Sequence, residues 1–88
     1  MEHTPAKELR ERLDEGADRV VAGDRYAHYK HPESAYRIIG LGLLEANEEV
    51  AVIYKQEEGE HLTFIRPLRS FLETVETPEG LVPRFIRL

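Results

Sequence analysis

The stretch AYRIIGLGLLEANEEVAVIYK (residues 35–55) contains two strand patterns separated by a polar turn. VAVIYK is β-branched and alternates, which is typical of a strand. In AYRIIGLGLL, Gly40 and Gly42 are two residues apart and therefore share one face of a long strand. Such a pair is typical of a bend, a bulge or close packing in a barrel. This stretch predicts an antiparallel sheet built around a long, bent strand.

Strand patterns also lie on both sides of this stretch. RYAHYK (residues 25–30) has a period of two and predicts a strand, and HPES, with Pro32, predicts a turn after it. The remaining predictions are a QEEGE hairpin loop, an HLTFIRP strand, one 3₁₀ turn at PLRSF, and a final strand pair, FLETVE and LVPRFIRL, joined by TPEG. Five to six short strands of this spacing predict a mainly β fold, a small SH3-type antiparallel β-barrel or roll.

The N-terminal segment predicts an amphipathic α-helix. Thr4 is placed to be the N-cap, with Pro5 at the first helical position. Apolar residues then recur at three- and four-residue steps, which is the spacing of a helix with one buried face. Gly16 is the preferred end of this helix, and the alternative is an end at Gly23.

The strand patterns also predict a core. Its members are apolar or aromatic residues of the strands and of the turn before the last pair: Tyr36, Ile38, Val50, Val52, Ile53, Leu62, Phe64, Leu68, Phe71, Val75 and Phe85.

Length and composition limit the classes of protein to consider. Eighty-eight residues predict a single domain, 1–88, with a helical extension at 1–22 and the barrel at 23–88. The chain has no cysteine, and its polar start does not resemble a signal peptide, so we expect a cytoplasmic protein without a membrane partner. Its net charge of −5 argues against binding to duplex DNA, which normally needs a strongly basic face.

Four blocks of the chain, RYAHYK, VIY, FIRPLRSFLETV and VPRF, occur in that order. They resemble the recurrent HYK, VVY, VRP…MF and PRF blocks of the DUF1653 family, small bacterial domains of unknown function. The resemblance covers roughly residues 23–88 and leaves the N-terminal helix outside. It implies an SH3-type barrel and brings no activity with it.

The sequence predicts neither a metal site nor a catalytic site. His28 and His31 are three residues apart, but no carboxylate is obviously directed at them and the chain has no cysteine. Ser34 and Ser70 lie in predicted turns, and none of the nucleophile, phosphate-loop or zinc motifs occurs. We therefore expect no catalytic residues, no metal and no cofactor.

A set of aromatic and basic residues is the candidate binding site. Tyrosine rings offer flat contact area, and arginine offers a planar fork for carboxylate or phosphate. The set comprises Tyr26, His28, Tyr29, Lys30, Tyr54, Arg66 and Arg84. Two functions remain open at this point. One is a non-catalytic binding module for a small anionic ligand, a peptide or a single-stranded nucleic-acid end. The other is a structural domain that forms a homodimer or binds a protein partner, with this set and the N-terminal helix in the interface.

Overall fold

The computed structural model describes residues 4–88. Along the chain, the elements are α1 (Ala6–Arg19), β1 (Arg25–His28), β2 (His31–Leu43), β3 (Val50–Gln56), β4 (Thr63–Pro67), α2 (Leu68–Phe71), β5 (Thr74–Thr77), β6 (Gly80–Pro83) and β7 (Phe85–Arg87). None of the helices in the described part of the chain is long and apolar enough to cross a membrane.

Five of the strands form one antiparallel sheet in the order β4-β3-β2-β1-β7, and β5 and β6 form a separate pair. The predicted mainly β class with an N-terminal helix is confirmed. The large sheet is open, because β4 and β7 stand at its two edges and are not paired with each other within residues 4–88. The fold is thus a curved sheet with a helix on one face rather than a closed barrel.

Of the bend, bulge or close packing predicted for the glycine pair of the long strand, the structure shows a bulge, because the register of β2 against β3 shifts between Ile38 and Gly40. The turn predicted at HPES was wrong, because β2 already begins at His31. The turn is at Tyr29 and Lys30, and the register of β1 against β2 shifts between Ala27 and His28. Residues 32–34 therefore lie outside the regular ladder, so Pro32 leaves no ladder hydrogen bond unmade.

LVPRFIRL forms two strands rather than one. Its first half, β6, pairs with β5, and its second half, β7, pairs with β1. Arg84 lies between them, with its N–H donating to the Glu73 carbonyl and its own carbonyl accepting from the Tyr29 N–H. Pro83 lacks an N–H, so the chain changes sheets where one ladder donor is missing.

Helix α1 passes through Gly16 and ends at Arg19, so the preferred end at Gly16 was wrong. Gly16 is buried against the sheet, where a Cβ would lie 3.0 Å from Leu41 Cδ1 and 3.2 Å from Leu68 Cδ2. Glycine is thus used for close packing rather than for termination. The Thr4 N-cap was also wrong, because Pro5 is the cap residue and the Thr4 hydroxyl donates to Glu48 Oε1 instead.

The core lies between the sheet, α1 and α2. The buried apolar residues are Val20, Tyr26, Ala27, Ile38, Ala51, Val52, Tyr54, Phe71 and Phe85. The predicted core positions Ile38, Val52, Phe71 and Phe85 are confirmed, whereas Leu62 and Phe64 are exposed and were wrong. Both lie on or beside the edge strand β4, where nothing in the described chain covers them. PLRSF, expected as a 3₁₀ turn, forms the single α-helical turn α2.

Candidate ligand-binding site

A cavity of about 270 Å³ opens on the core face of the sheet, beside the edge strand β4. We call it the aromatic cleft, and it is lined by His28, His31, Tyr36, Tyr54, Phe64, Arg66 and Phe85. Antiparallel register explains how these residues meet. Tyr54 on β3 lies opposite Phe64 on β4, and Arg66 follows Phe64 on the same face, two residues further on. The lining contains aromatic, histidine and arginine side chains and no carboxylate.

Arg66 is the cationic group of the cleft. Its Nη1 donates to Ser70 Oγ at 3.0 Å, and its Nε lies 3.4 Å from the Tyr54 hydroxyl oxygen. The guanidinium carbon is also 5.6 Å from the centre of the Phe85 ring, within cation–π range. Among residues 4–88, Arg66, Arg10 and Arg19 are the arginines without an ion pair, and Arg66 is the one of these three that is half-buried. A half-buried guanidinium held by neutral groups keeps its charge available for an anion.

His28 also lines the cleft, and its surroundings disfavour the protonated form of its ring. Burial lowers the pKa of His28, and the positive charges of Arg66, His31, Arg84 and Lys30 lower that pKa further. The Lys30 N–H donates to His28 Nδ1 at 3.2 Å. This hydrogen bond requires Nδ1 to be an acceptor, so the proton of the neutral ring is on Nε2.

Aromatic rings form a continuous layer beneath and around the cleft. Phe71 and Phe85 stack with their centres 4.1 Å apart, and Tyr54 meets Phe85 edge-on at 5.3 Å. Phe64 lies 5.7 Å from Tyr54, at a tilt of 30°. Phe64 is the most exposed of these rings, at 38% of its surface, so one aromatic side chain is accessible at the rim.

The structure brings three of the seven predicted site residues, His28, Tyr54 and Arg66, to the cleft. Tyr26 is buried instead, edge-on to Phe71, and burial followed by the charge of Asp24 raises its pKa. Tyr29 and Lys30 form the turn beside His28, with the Lys30 Nζ 5.9 Å from the Tyr29 ring centre.

The seventh predicted residue, Arg84, is held within the protein. Its Nε donates to the Ser70 carbonyl at 3.1 Å, and its Nη2 lies 3.7 Å from Glu73 Oε1. It therefore joins the segment after β6 to α2, and its charge reaches the cleft only through space, at His28.

Sequence reasoning missed four residues that line the cleft: His31, Tyr36, Phe64 and Phe85. All four were assigned elsewhere, with His31 in the predicted HPES turn and the three aromatic residues in the predicted core. One local signal was present for Phe64, since residues two apart on a strand share a face and Arg66 was already in the candidate set.

A second cavity, of about 450 Å³, adjoins the cleft. It is lined by Ser34, Ala35, Gln56, Glu58 and Gly59, and it shares His31 and Tyr36 with the cleft. The two cavities therefore meet near the start of β2 and the end of β3.

The two neighbouring histidines do not belong to a larger group of potential metal ligands. The rings of His28 and His31 are 6.2 Å apart between centres. Within residues 4–88 there is no cluster of three histidine, cysteine, aspartate or glutamate side chains arranged to hold a metal ion.

A family model described as a protein of unknown function, DUF1653, matches residues 24–87. The chain belongs to the DUF1653 family. A crystal structure of a DUF1653 protein from Bordetella bronchiseptica is similar to this fold, with 30% sequence identity and a TM-score of 0.67. The likeness covers 80% of this chain and 90% of the other. No curated protein matches the chain. The DUF1653 match includes every residue that lines the aromatic cleft and excludes α1.

Proposed function

We propose that this DUF1653 protein is a non-catalytic binding module whose aromatic cleft accepts an anionic group attached to a flat ring, as at the end of a single-stranded nucleic acid. The observation that carries the proposal is Arg66, a guanidinium in the cleft without a carboxylate partner among residues 4–88. The chain as a whole has a net charge of −5. One cationic group in a cleft of an acidic protein favours a small, local anion over a long polyanion.

The spacing of Phe64 and Arg66 supports a nucleotide in particular. The two side chains are on the same face of β4, about 7 Å apart along the strand. Phe64 can stack on a base, and Arg66 can donate two parallel hydrogen bonds to a phosphate. An acidic peptide would use the arginine but would have less use for the accessible ring.

The adjoining cavity supports a ligand longer than one nucleotide. It continues from His31 and Tyr36 to the polar groups of Ser34 and Gln56. Sugar and base groups of a second nucleotide would find hydrogen-bond partners there, whereas the Glu58 carboxylate would repel a second phosphate. We therefore propose the phosphorylated end of a short single strand, and the peptide becomes an outcome of the test.

The test compares a short oligouridylate with and without a 5′-phosphate. Arg66→Ala should remove the preference for the phosphate, which we expect to be about tenfold in Kd, the size of one charge-assisted hydrogen bond. Arg69→Ala is the matched control, because Arg69 is an exposed arginine three residues away that pairs with Glu49 outside the cleft. Fluorescence anisotropy at several salt concentrations measures both affinities, and far-UV circular dichroism checks that each variant is folded.

Two results would contradict the proposal. One is equal binding of both oligonucleotides by the wild-type protein, and the other is an equal loss in Arg66→Ala and Arg69→Ala. An acidic peptide that binds through Arg66 while both oligonucleotides fail would assign the cleft to a peptide carboxylate. Binding should also weaken with added salt, because each phosphate contact releases counterions.

Three other expectations remain proposals. We propose that the protein acts in the cytoplasm, because its composition includes no cysteine for the disulfide bonds of secreted domains. We also propose that its curved sheet is a relative of the SH3-type barrels that has remained open. The third proposal is that the protein forms a homodimer through the edge strand β4.

A further inference from the structure

Strand β4 forms one edge of the five-stranded sheet, and its backbone groups alternate in direction. The Gln56 N–H donates to the Leu62 carbonyl, so by alternation Phe64 and Arg66 are the next residues bonded to β3. The N–H and C=O groups of Thr63 and Ile65 consequently point away from the sheet. Within residues 4–88 no other strand pairs with this edge.

Protection of this edge is concentrated at one end. Arg66 and Pro67, residues of the kind that protect sheet edges, lie at the end of β4. Thr63, Phe64 and Ile65 carry no charge, and Ile65 is 62% exposed. Leu62, just before the strand, is also exposed. An uncharged, apolar edge of this kind normally pairs with another strand.

The molecule is less compact than is usual for its length, which agrees with a surface that a second chain covers. The radius of gyration is 14.2 Å, and the longest dimension is 43 Å. A compact domain of this length would have a radius of gyration of about 12 Å. Domains that bury little surface alone commonly gain buried area by self-association.

We propose that β4 pairs antiparallel with β4 of a second copy, about a two-fold axis at Phe64. In this register, Thr63 of each copy lies opposite the partner's Ile65, so the outward N–H and C=O groups of both residues are satisfied. Phe64 then lies opposite the partner's Phe64, at the short spacing of a non-hydrogen-bonded pair, where aromatic side chains make contact. Pro67, which has no N–H, is outside the bonded region.

The bonding pattern of the edge supports a second copy as the occupant. About Phe64 the edge is self-complementary, because the outward N–H and C=O groups of Thr63 match those of Ile65 in a two-fold arrangement. A dimer of this form also places the two aromatic clefts side by side, each bordered by the partner's Phe64. The pairing rests on the edge of β4 and does not depend on what the cleft binds.

Sedimentation of the protein without ligand, at concentrations from about 10 µM to about 1 mM, tests the dimer. A weak dimer dissociates by mass action at the lower end of this range. The wild-type mass should rise from one chain of 10.2 kDa toward two. Ile65→Pro removes the outward N–H, and Ile65→Lys adds a charge to the edge, so both variants should stay monomeric. Leu81→Lys is the matched control, because Leu81 is 71% exposed on β6, outside the large sheet.

Hydrogen exchange on the wild-type protein provides a second measurement that needs no variant. The amides of Thr63 and Ile65 should exchange more slowly as the protein concentration rises, because only the dimer gives them acceptors. A protein that sediments as a monomer at every concentration would overturn the proposal. So would a dimer that Ile65→Pro leaves intact, or one in which these two amides exchange at the same rate at all concentrations.

Discussion

At the level of single residues, Arg66 and His28 show how the cleft keeps a charge without an acidic partner. Arg66 is held by Ser70 and the Tyr54 hydroxyl. Burial and the nearby cations lower the pKa of His28, which favours its neutral form. A carboxylate here would neutralise the cleft and occupy the guanidinium fork. A neutral histidine, by contrast, adds a hydrogen-bond donor without adding a second permanent charge.

The lowered pKa of His28 predicts how stability depends on pH. The unfolded chain binds a proton near the ordinary pKa of 6.5, whereas the folded protein binds it only at lower pH. The contribution of His28 to stability is therefore complete above pH 6.5 and is lost as the pH falls through the lower folded pKa. Urea unfolding of wild type and His28→Asn between pH 5 and 8 should show a smaller loss of stability at low pH in the variant.

Asparagine is a suitable replacement, because its side-chain oxygen can still accept from the Lys30 N–H while it does not titrate. Equal slopes in the two proteins would mean that His28 has the same proton affinity in both states. The same residue also reports on the cleft. An anion bound beside Arg66 would offset the cations around the ring, so the pKa of His28 measured by NMR should rise when the phosphorylated oligonucleotide is added.

At the level of elements, the contact of α1 with the sheet depends on one residue without a side chain. Gly16 lies where a Cβ would meet Leu41, Leu68 and Val50 at 3.0 to 3.4 Å. A glycine inside a helix normally costs about 1 kcal/mol of stability relative to alanine. At this position glycine lets the helix backbone approach the sheet closely, and the resulting packing offsets that cost.

Gly16→Val should lower the free energy of unfolding by about 1–3 kcal/mol, because the added methyl groups overpack the contact between α1 and the sheet. Ala17→Val is the matched control, since the neighbouring residue is exposed. It introduces the same side chain and should cost only the helix propensity difference, about 0.5 kcal/mol. Urea denaturation measures both variants, and similar losses in the two would show that α1 can shift away from the sheet.

A different connection, made by Glu57, holds the end of β3 to its neighbours. The Glu57 carboxylate accepts from Arg25 on β1 at 2.7 Å and from Arg37 on β2 at 2.8 Å. The Arg25 hydrogen bond is the main reason that the pKa of Glu57 is lowered, and Arg37 adds to the effect. One carboxylate thus joins three strands on the outer face, opposite the cleft.

At the level of the whole molecule, the segment before the DUF1653 match is part of the core. Val20 follows α1, precedes the matched residues 24–87 and is completely buried. It packs with Tyr26, Ile38 and Phe71. The helix is therefore not a free extension in the described structure, and the core that supports the cleft includes a residue outside the family match.

Val20→Ala should lower the free energy of unfolding by about 2 kcal/mol, because it removes buried methyl groups and leaves a cavity. Val21→Ala is the matched control, since Val21 is 48% exposed, and it should change stability by less than about 0.5 kcal/mol. Thermal and urea unfolding measure both. A small effect of Val20→Ala would show that the sheet is stable without this contact.

The sequence predicted this protein's local structure well. A period of two marked β1 and β3, and the paired glycines of β2 did mark a bulge, although β2 begins within the predicted HPES turn. These features depend on backbone geometry within a few residues, so a single chain is enough to show them. The family blocks were equally readable, because they are short and their order is preserved.

The tertiary structure decided which residues meet and which are covered. Tyr26, Tyr54 and Phe64 all lie in segments with a strand pattern. Tyr26 and Tyr54 are buried, whereas Phe64 is exposed because β4 is at the edge of the sheet. Arg66 and Arg84 each lie next to a proline in the sequence, but of the two only Arg66 lines the cleft. Burial and strand order are set by contacts between residues far apart in the chain, and no local pattern encodes them. The sequence by itself determined the strands and the family, and the long-range packing determined the cleft and the open edge.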